Sequence, residues 1–300
     1  MDTVYSGLAW IFLVIYLDDT NIHSPSFGSH LDHLEQTFQR LREAGLRLNI
    51  DKCHFCKEQL EFLGHIITRN GIQPDLAKIE KVKHFLQPTN TTELRGFLGL
   101  ASYYRRFIQG FSNIAEPMHK LLKKDQRYEW KEEHEEAFKK LKEKLTDAPI
   151  LLYPDFKKKF ILATDASKLG IGAILSQLDS EGQERPVAYA SRGLSPAEQN
   201  YAAHEMECLA VVWAVKYFRQ YLLEQKFDLI TDHVGLKWFI TKSNPTGRTM
   251  RWIATLQEYD FNIIYKPGRK HSNVDALSRI PPNRTRLNPQ TNPTPNERQH

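Results

Sequence analysis

The chain has 300 residues, of which 41% are hydrophobic and 26% are charged, and its formal net charge is +5 at pH 7. This length and composition allow two or three domains, each with its own core, and exclude a fibrous protein. The modest positive charge is compatible with a nucleic-acid partner, but such an excess is also common in proteins that bind no polyanion.

The number of cysteines and the length of the apolar segments indicate the cellular compartment of the protein. Cys53, Cys56 and Cys208 are too few for a disulfide framework and suit a reducing compartment. The first two form half of a zinc motif that no second Cys/His pair completes. The apolar run from Leu8 to Leu17 is shorter than the ~20 residues that span a bilayer, and no positively charged leader precedes it. We expect an intracellular protein, in the cytoplasm or nucleus, with no membrane segment, and the run as a strand buried on both faces.

Two adjacent carboxylates, Asp18 and Asp19, end this apolar run in the sequence "IFLVIYLDDTN". Burying carboxylates costs several kcal/mol unless positive charge compensates. The pair fits either a solvated turn or a divalent-cation site at the tip of a hairpin. On these two residues alone, the solvated turn is the favoured interpretation.

Helix and strand patterns follow up to residue 75. A helix is predicted by apolar residues at helical spacing, with Gly45 as the C-terminal glycine: Leu31, Leu34, Phe38 and Leu41. The alternation of Leu46, Leu48 and Ile50 predicts a strand, and "QLEFLGHIITRNGIQPD" predicts two short strands around a turn at Asn70-Gly71. This first block is therefore α+β.

Residues 76–150 have a helical pattern. Asn90 is a predicted N-cap, and Glu93 three residues later completes a capping-box arrangement. A later helix is predicted by apolar residues at helical spacing: Phe138, Leu141 and Leu145.

From residue 151 the pattern returns to strands, continues with a long helix at about 196–223, and then alternates between strand and helix up to residue 280. This block is the size of an α/β domain with a mixed sheet flanked by helices. Residues 281–300 are rich in Pro and Asn and poor in apolar residues, which predicts disorder.

Carboxylates recur at the ends of elements in the third block. Asp165 ends a strand in "ILATDAS", Asp232 ends a strand in "FDLITDH", and Asp275 lies near the start of a short helix in "SNVDALSR". On the long helix, the residues at helical spacing after Glu207 are apolar, whereas those after Glu205 turn polar. Glu207 is therefore the better candidate for the interior edge.

These four carboxylates, Asp165, Glu207, Asp232 and Asp275, form an all-oxygen ligand set. Such a set favours Mg²⁺ or Mn²⁺ over zinc and can hold two ions for phosphodiester cleavage. His271, four residues before Asp275, is a candidate proton carrier, with an exposed loop histidine as the equally weighted alternative.

Several motifs in a fixed order resemble the reverse transcriptase and ribonuclease H region of Ty3/gypsy-type LTR retrotransposon Pol polyproteins. They are "VIYLDD", "HLEQTFQRLREAGLRLNIDKCHF", "EFLGHIITRNGIQPD", "ELRGFLGLASYYRRFI" and "FILATDASKLGIGAILSQ". The resemblance runs from residue 1 to about 280. It implies an α+β palm segment at 1–75, a helical thumb or connection at 76–150 and an α/β ribonuclease H-like domain at 151–280.

The resemblance also implies roles for individual residues. Asp18 and Asp19 match the Tyr-x-Asp-Asp hairpin of the polymerase palm, with Asp18 as the direct metal ligand. "EFLGH", with Gly64, is similar to the hairpin that supports a primer terminus. Asp165, Glu207, Asp232 and Asp275 match the four metal-binding carboxylates of the ribonuclease H fold, which would hold two Mg²⁺ or Mn²⁺ ions.

A basic and aromatic cluster falls in the thumb-like segment. Nucleic-acid contacts are expected from cations on phosphates and aromatic rings on sugars or bases, through Tyr103, Tyr104, Arg105 and Arg106. Lys120, Lys123 and Lys124 fall in the same segment. The implied partners are RNA–DNA hybrids and primer–template nucleic acid.

The family's polymerases need a further palm aspartate and fingers upstream, and the sequence motifs begin after both. We therefore expect a Pol fragment in which Mg²⁺-dependent cleavage of RNA in hybrids is retained and RNA-directed DNA polymerase activity is lost. Two alternatives stay open: a polymerase completed by an upstream segment, or a remnant that binds nucleic acid without catalysis. The block at 151–280 is expected to fold alone and to be more soluble than the whole chain.

Overall fold

The structure is a computed structural model that describes residues 1–124, 126–232 and 247–266. The chain forms two compact units, Met1–Ile79 and Glu80–His300. Among the described residues, no helix has both the length and the apolar character needed to cross a bilayer.

The described strands are β1 Leu13–Tyr16, β2 Asp19–Ile22, β3 Gln59–Phe62, β4 His65–Thr68, β5 Gly71–Pro74, β6 Phe160–Ala166, β7 Gly170–Leu178, β8 Glu184–Gly193, β9 Phe227–Thr231 and β10 Phe261–Tyr265. The described helices are α1 Phe27–Glu43, α2 Leu76–Lys83, α3 Thr91–Tyr103, α4 Phe111–Lys120, α5 Glu132–Thr146, α6 Ala203–Tyr217, α7 Arg219–Leu222 and α8 Gly247–Leu256. Short 3-10 turns occupy Ile50–Lys52, Arg105–Phe107 and Glu198–Asn200.

The first unit contains the antiparallel hairpin β1–β2, helix α1 and the antiparallel sheet β3-β4-β5. The predicted helix is confirmed as α1, which Ser26 caps by accepting from the backbone N–H of Ser29. Beyond its last turn, Gly45 has φ +67° and the N–H of Leu46 donates to the carbonyl of Leu41 at 2.9 Å. This left-handed glycine closes the helix as the sequence predicts.

The predicted strand through the whole apolar run is wrong. Only Leu13–Tyr16 is strand, and the preceding residues form turns closed by bonds such as Ala9 N–H to the carbonyl of Tyr5 at 3.1 Å. Trp10 and Ile11 are 83% and 69% exposed. A continuous apolar run does not distinguish a strand from a turn-rich segment whose side chains are only partly buried.

Two further strand predictions in this unit are corrected. Residues 46–49 form no strand despite their alternation, because no neighbouring strand pairs with them. The predicted pair of strands is a three-stranded sheet, whose first turn lies at Leu63-Gly64, with φ of +48° and +66°. Thr68 pairs with Gly71, so the second turn lies one residue earlier than predicted. An apolar residue at a left-handed position gave no turn signal in the sequence.

The second unit is built around a five-stranded sheet in the order β10-β9-β6-β7-β8. Strands β6, β7 and β8 pair antiparallel, whereas β9 pairs parallel with both β6 and β10. The predicted mixed sheet with flanking helices is confirmed. The predicted long helix is shorter, because α6 begins at Ala203 and a separate turn of helix, α7, follows Phe218.

Helix α6 covers one face of this sheet. The apolar residues that follow Glu207 at helical spacing, Val211, Ala214 and Phe218, are all buried with the strands in one core. The predicted orientation of α6 is therefore confirmed.

The helical segment precedes the sheet. Its predicted N-cap is confirmed, but the predicted capping box is wrong, because Glu93 bonds the backbone of Thr89 and not that of Asn90. Asn90 accepts from the backbone N–H groups of Thr92 and Glu93 at the start of α3. The carboxylate of Glu93 accepts from the backbone N–H of Thr89 at 2.8 Å. The apolar residues predicted for the later helix, Phe138, Leu141 and Leu145, are buried on α5.

The same segment packs against the edge strand β8, within the second unit. The N–H of Ser112, in the first turn of α4, donates to Oγ of Ser191 on β8 at 2.9 Å. The guanidinium of Arg105 donates to the backbone carbonyl of Ser191. These contacts bring the start of α4 to the end of the sheet that carries the candidate site.

Candidate metal-binding cleft

Two of the predicted carboxylates lie side by side at one edge of the sheet. Asp165 is the sixth residue of β6, and Asp232 follows directly after β9. The parallel register pairs Phe160 with Phe227 and Ala163 with Ile230. Two more residues along each strand place Asp165 level with Asp232, on neighbouring strands that are typically about 4.8 Å apart.

Glu207 comes to this edge from the first half of α6. Its Oε2 atom is buried and has no hydrogen-bond partner among the described residues. Burial, together with the negative charges of Asp232 and Asp165, raises the pKa of Glu207 to about 8. The electrostatic field of both aspartates therefore reaches this carboxyl group.

Glu205, a nearby acid on the same helix, has partners within the protein. Glu205 accepts from the backbone N–H of Ala202 at 3.1 Å, and it forms an ion pair with Arg248 of α8. Its pKa lies below its ordinary value, because these hydrogen bonds and the Arg248 charge outweigh desolvation. Glu205 thus has partners within the protein, whereas the buried oxygen of Glu207 has none.

The described residues meet part of what a divalent cation requires. All donors are carboxylate oxygens, as Mg²⁺ and Mn²⁺ prefer, and an unpaired buried oxygen is available at Glu207. Across the described residues, no three His, Cys, Asp or Glu side chains form a group that could hold a metal ion. Asp275 and His271, the other predicted members, lie outside the described residues.

A cavity of about 280 Å³ opens beside Asp165 and Asp232. Its floor is formed by β6, β7 and β8, and its far wall comes from the start of α4, through Gln109, Gly110 and Asn113. No sequence pattern predicts these residues, because polar amides on a helical segment more than 50 residues away have no spacing that links them to the carboxylates.

The adjacent aspartates of the first unit occupy the tip of a hairpin. Tyr16 of β1 pairs with Asp19 of β2, so Leu17 and Asp18 form the turn between them. Leu17 has φ +53° and is exposed, as are both aspartates. The tip accommodates a solvated pair or an ion that arrives from solvent, and the metal role of Asp18 and Asp19 stays a prediction.

The predicted primer-supporting hairpin is the turn between β3 and β4. Gly64 is buried in this turn, where its positive φ suits a glycine. The carbonyl of Leu63 lies 2.8 Å from Nδ1 of His65 across the same turn. The contact of Gly64 with a primer stays a prediction.

The predicted nucleic-acid contacts in the helical segment are only partly accessible. Tyr104 is fully buried, and the half-buried Arg105 is engaged with Ser191 and lies over the ring of Phe111, 5.4 Å from its centroid. The prediction of base or phosphate contact is therefore corrected for these two residues. A cluster of basic and aromatic residues in the sequence does not reveal which of its side chains pack inside the protein. Tyr103 is exposed and Arg106 half-buried, so both retain their predicted role as a hypothesis.

Comparison with known proteins agrees with this architecture. Residues 155–259 match the family described as "RNase H-like domain found in reverse transcriptase", and residues 1–67 match "Reverse transcriptase (RNA-dependent DNA polymerase)". The Pol polyprotein from transposon 297 of Drosophila melanogaster is 44% identical over 268 residues, which are 89% of this chain. The transposon Tf2-3 polyprotein of Schizosaccharomyces pombe is 39% identical over 272 residues, also 89% of the chain.

The chain therefore contains segments that match reverse transcriptase and RNase H-like domains, and it is similar to retrotransposon Pol polyproteins along 89% of its length. It spans 25% of the transposon 297 polyprotein and 20% of the Tf2-3 polyprotein, so it represents a limited part of the length of these relatives.

Solved structures support the fold. The foamy viral protease-reverse transcriptase in complex with double-stranded DNA has a TM-score of 0.76, and the match covers 89% of the present chain and 56% of the viral chain. The same viral protein in complex with an RNA/DNA hybrid has a TM-score of 0.75, and the match covers 97% of the present chain and 39% of the viral chain. Both are 21% identical to the present chain, so they establish a shared fold.

Proposed function

We propose that the second unit is a ribonuclease H that hydrolyses the RNA strand of RNA–DNA hybrids with a divalent cation, Mg²⁺ or Mn²⁺. Asp165, Glu207 and Asp232 hold the cations, with Asp275 as the predicted fourth ligand. The family relationship supports the reaction class, and the hybrid bound by the foamy viral relative supports the substrate.

One observation carries this proposal: Glu207 has a buried carboxylate oxygen with no hydrogen-bond partner among the described residues, and the charges of Asp232 and Asp165 act on the same carboxyl group. A protein gains nothing for its own folding by placing like charges around a desolvated acid. A bound cation removes the conflict, since it pairs with all three groups and favours the ionised form of Glu207.

The chemistry at the cleft divides between the protein and the cation. Two bound divalent cations would supply an activated water and would stabilise the leaving oxygen of the phosphodiester. Asp165 and Asp232 would hold the cations at the ends of β6 and β9, and the pairing of these two strands keeps the two carboxylates in place.

A cleavage assay on a labelled RNA–DNA hybrid tests the proposal. With Mg²⁺ the parent chain should shorten the RNA strand, and Asp165→Asn should lower the rate by at least about 100-fold, as expected for loss of a group that holds the reacting centre. Glu181→Gln is the matched control, because this exposed acid lies in the turn between β7 and β8, at the opposite end of both strands. Salt-dependent hybrid binding without Mg²⁺-dependent cleavage would instead support a non-catalytic binding role.

A second candidate function is RNA-directed DNA synthesis, supported by the family match over residues 1–67 and by the aspartates at the β1–β2 tip. The resemblance implies that DNA synthesis needs a third palm aspartate on a separate strand, in addition to Asp18 and Asp19. We therefore propose that this chain alone extends no primer. Nucleotide incorporation on a primed RNA template that disappears in Asp18→Ala would contradict this.

A further inference from the structure

The cleavage cleft has a second wall that lies outside the segment matching the RNase H-like family. Gln109 and Asn113 flank the start of α4 and line the same cavity as Asp165 and Asp232. Both amides are exposed, whereas the family match begins only at residue 155. The cavity thus joins an acidic wall from the sheet to an amide wall from the helical segment.

The sheet register places the two walls at opposite ends of one row of paired residues. Asp165 pairs with Gly172, and Gly172 pairs with Ser191, so the three residues form one row across β6, β7 and β8. Residues paired in this way share one face of a sheet. The central member of the row has no side chain, and a Cβ added there would meet only the carbonyl oxygen of Ala190, at 3.8 Å. The row is therefore a shallow floor with a carboxylate at one end and α4 at the other.

The amide wall is held in place by several contacts. Ser112 donates its N–H to Oγ of Ser191, at the far end of the floor. Nδ2 of Asn113 lies 3.5 Å from Oγ of Ser167, in the β6–β7 turn. A Cβ added to Gly170 would lie only 2.5 Å from Oδ1 of Asn113, which shows how closely this amide approaches the start of β7.

The chemistry of the wall favours the RNA strand. An amide both donates and accepts hydrogen bonds, as does a ribose 2′-hydroxyl. Gln109 and Asn113 carry no formal charge, so their hydrogen bonds to a phosphate would be weaker than those of a lysine or an arginine. Because the amides and the carboxylates line one cavity, the sugars next to a scissile phosphate held at the carboxylates would lie beside the amides.

We propose that Gln109 and Asn113 are substrate-binding residues that recognise ribose 2′-hydroxyls of the RNA strand beside the cleavage site. The helical segment thereby contributes sugar specificity to a cleft whose carboxylates come from the sheet. This inference rests on the proposed ribonuclease H function.

The test measures binding and cleavage separately in the full chain. Gln109→Ala/Asn113→Ala should weaken binding of an RNA–DNA hybrid about 10-fold, measured in Ca²⁺ to block turnover, with little change for a DNA duplex of the same sequence, because each lost neutral hydrogen bond contributes about 0.5–1.5 kcal/mol. In Mg²⁺ the KM for the hybrid should rise by a similar factor while kcat stays within about twofold. Gln183→Ala is the matched control, an exposed amide in the β7–β8 turn.

The outcomes separate the two proposals. If the parent chain cleaves the hybrid and the double variant binds it as well as the parent, the amide wall has no such role. Equal weakening for hybrid and DNA duplex would contradict hydroxyl recognition. If the parent cleaves nothing, the ribonuclease proposal fails, while selective loss of hybrid binding in the double variant would still support the amide wall.

Discussion

At the scale of single residues, Glu207 lies in an environment that disfavours the charged form of its carboxyl group. Its carboxyl is half-buried, and its pKa is raised to about 8 by desolvation and by the charges of Asp232 and Asp165. In the metal-free protein at pH 7 this group is largely protonated. Cation binding should therefore release a proton from Glu207.

The pH dependence of stability follows from that shift. The unfolded chain loses the Glu207 proton near 4.5 and the folded chain near 8. Because the folded pKa is the higher one, its contribution to stability is fully present below about 4.5 and is lost as the pH rises through about 8. The slope in that window is at most about 1.4 kcal/mol per pH unit.

We expect Glu207→Gln to remove this slope from the metal-free protein, with a gain of at least ~1 kcal/mol over the parent at pH 8. Urea unfolding in a chelator at pH 5, 6.5 and 8 measures it, with Glu181→Gln as an exposed control. Equal slopes in the parent and Glu207→Gln would show that Glu207 titrates normally.

At the scale of elements, the contact between α4 and the edge of the sheet depends on a glycine. A Cβ at Gly170 would lie 2.7 Å from the backbone carbonyl oxygen of Arg192 and 2.5 Å from Oδ1 of Asn113. The amide could rotate away, but the carbonyl belongs to β8 and is fixed by its pairing with β7. The absence of a side chain at Gly170 is thus a condition for this close approach.

We expect Gly170→Ala to lower the free energy of unfolding of the second unit by about 1–3 kcal/mol, as for other overpacked sites. Gly193→Ala is a closely matched control, since Gly193 pairs directly with Gly170 and its added Cβ would be 3.8 Å from the nearest heavy atom. Chemical denaturation of both variants gives the comparison. Similar stabilities would mean that β8 adjusts to the added methyl group.

At the scale of the whole molecule, the predicted boundary at residue 150 separates segments that the structure holds together. The compact unit begins at Glu80, and the helical segment contacts β8 through Arg105 and Ser112. The boundary between the two units, at Ile79 and Glu80, lies close to the predicted start of the helical segment at residue 76. A fragment of residues 151–280 would lack the helical segment that covers part of β8.

We now expect a fragment of residues 80–280 to be more soluble and more stable than one of residues 151–280, because the shorter fragment exposes the β8 surface. Soluble yield and thermal unfolding measure the difference. A shorter fragment with an equal yield and an equal Tm would restore the boundary at residue 150.

The sequence alone determined the features that depend on local chemistry. Helix caps at Asn90 and Gly45, the buried stripe of α6 and the choice of Glu207 over Glu205 follow from spacing and residue type, and ordered motifs indicated the family. Strands were less predictable, because residues such as Leu46 and Leu48 alternate without a partner strand and the Leu63-Gly64 turn begins at an apolar residue.

Only the tertiary structure decided which distant residues meet. The parallel register of β6 and β9 sets Asp165 level with Asp232. Packing of the helical segment buries Tyr104, and the contact of Ser112 with β8 brings Asn113 to the cleft. Hydrogen bonding between strands and the exclusion of water from packed faces fix these contacts. Both act between segments that are far apart in the chain, so no local pattern records them.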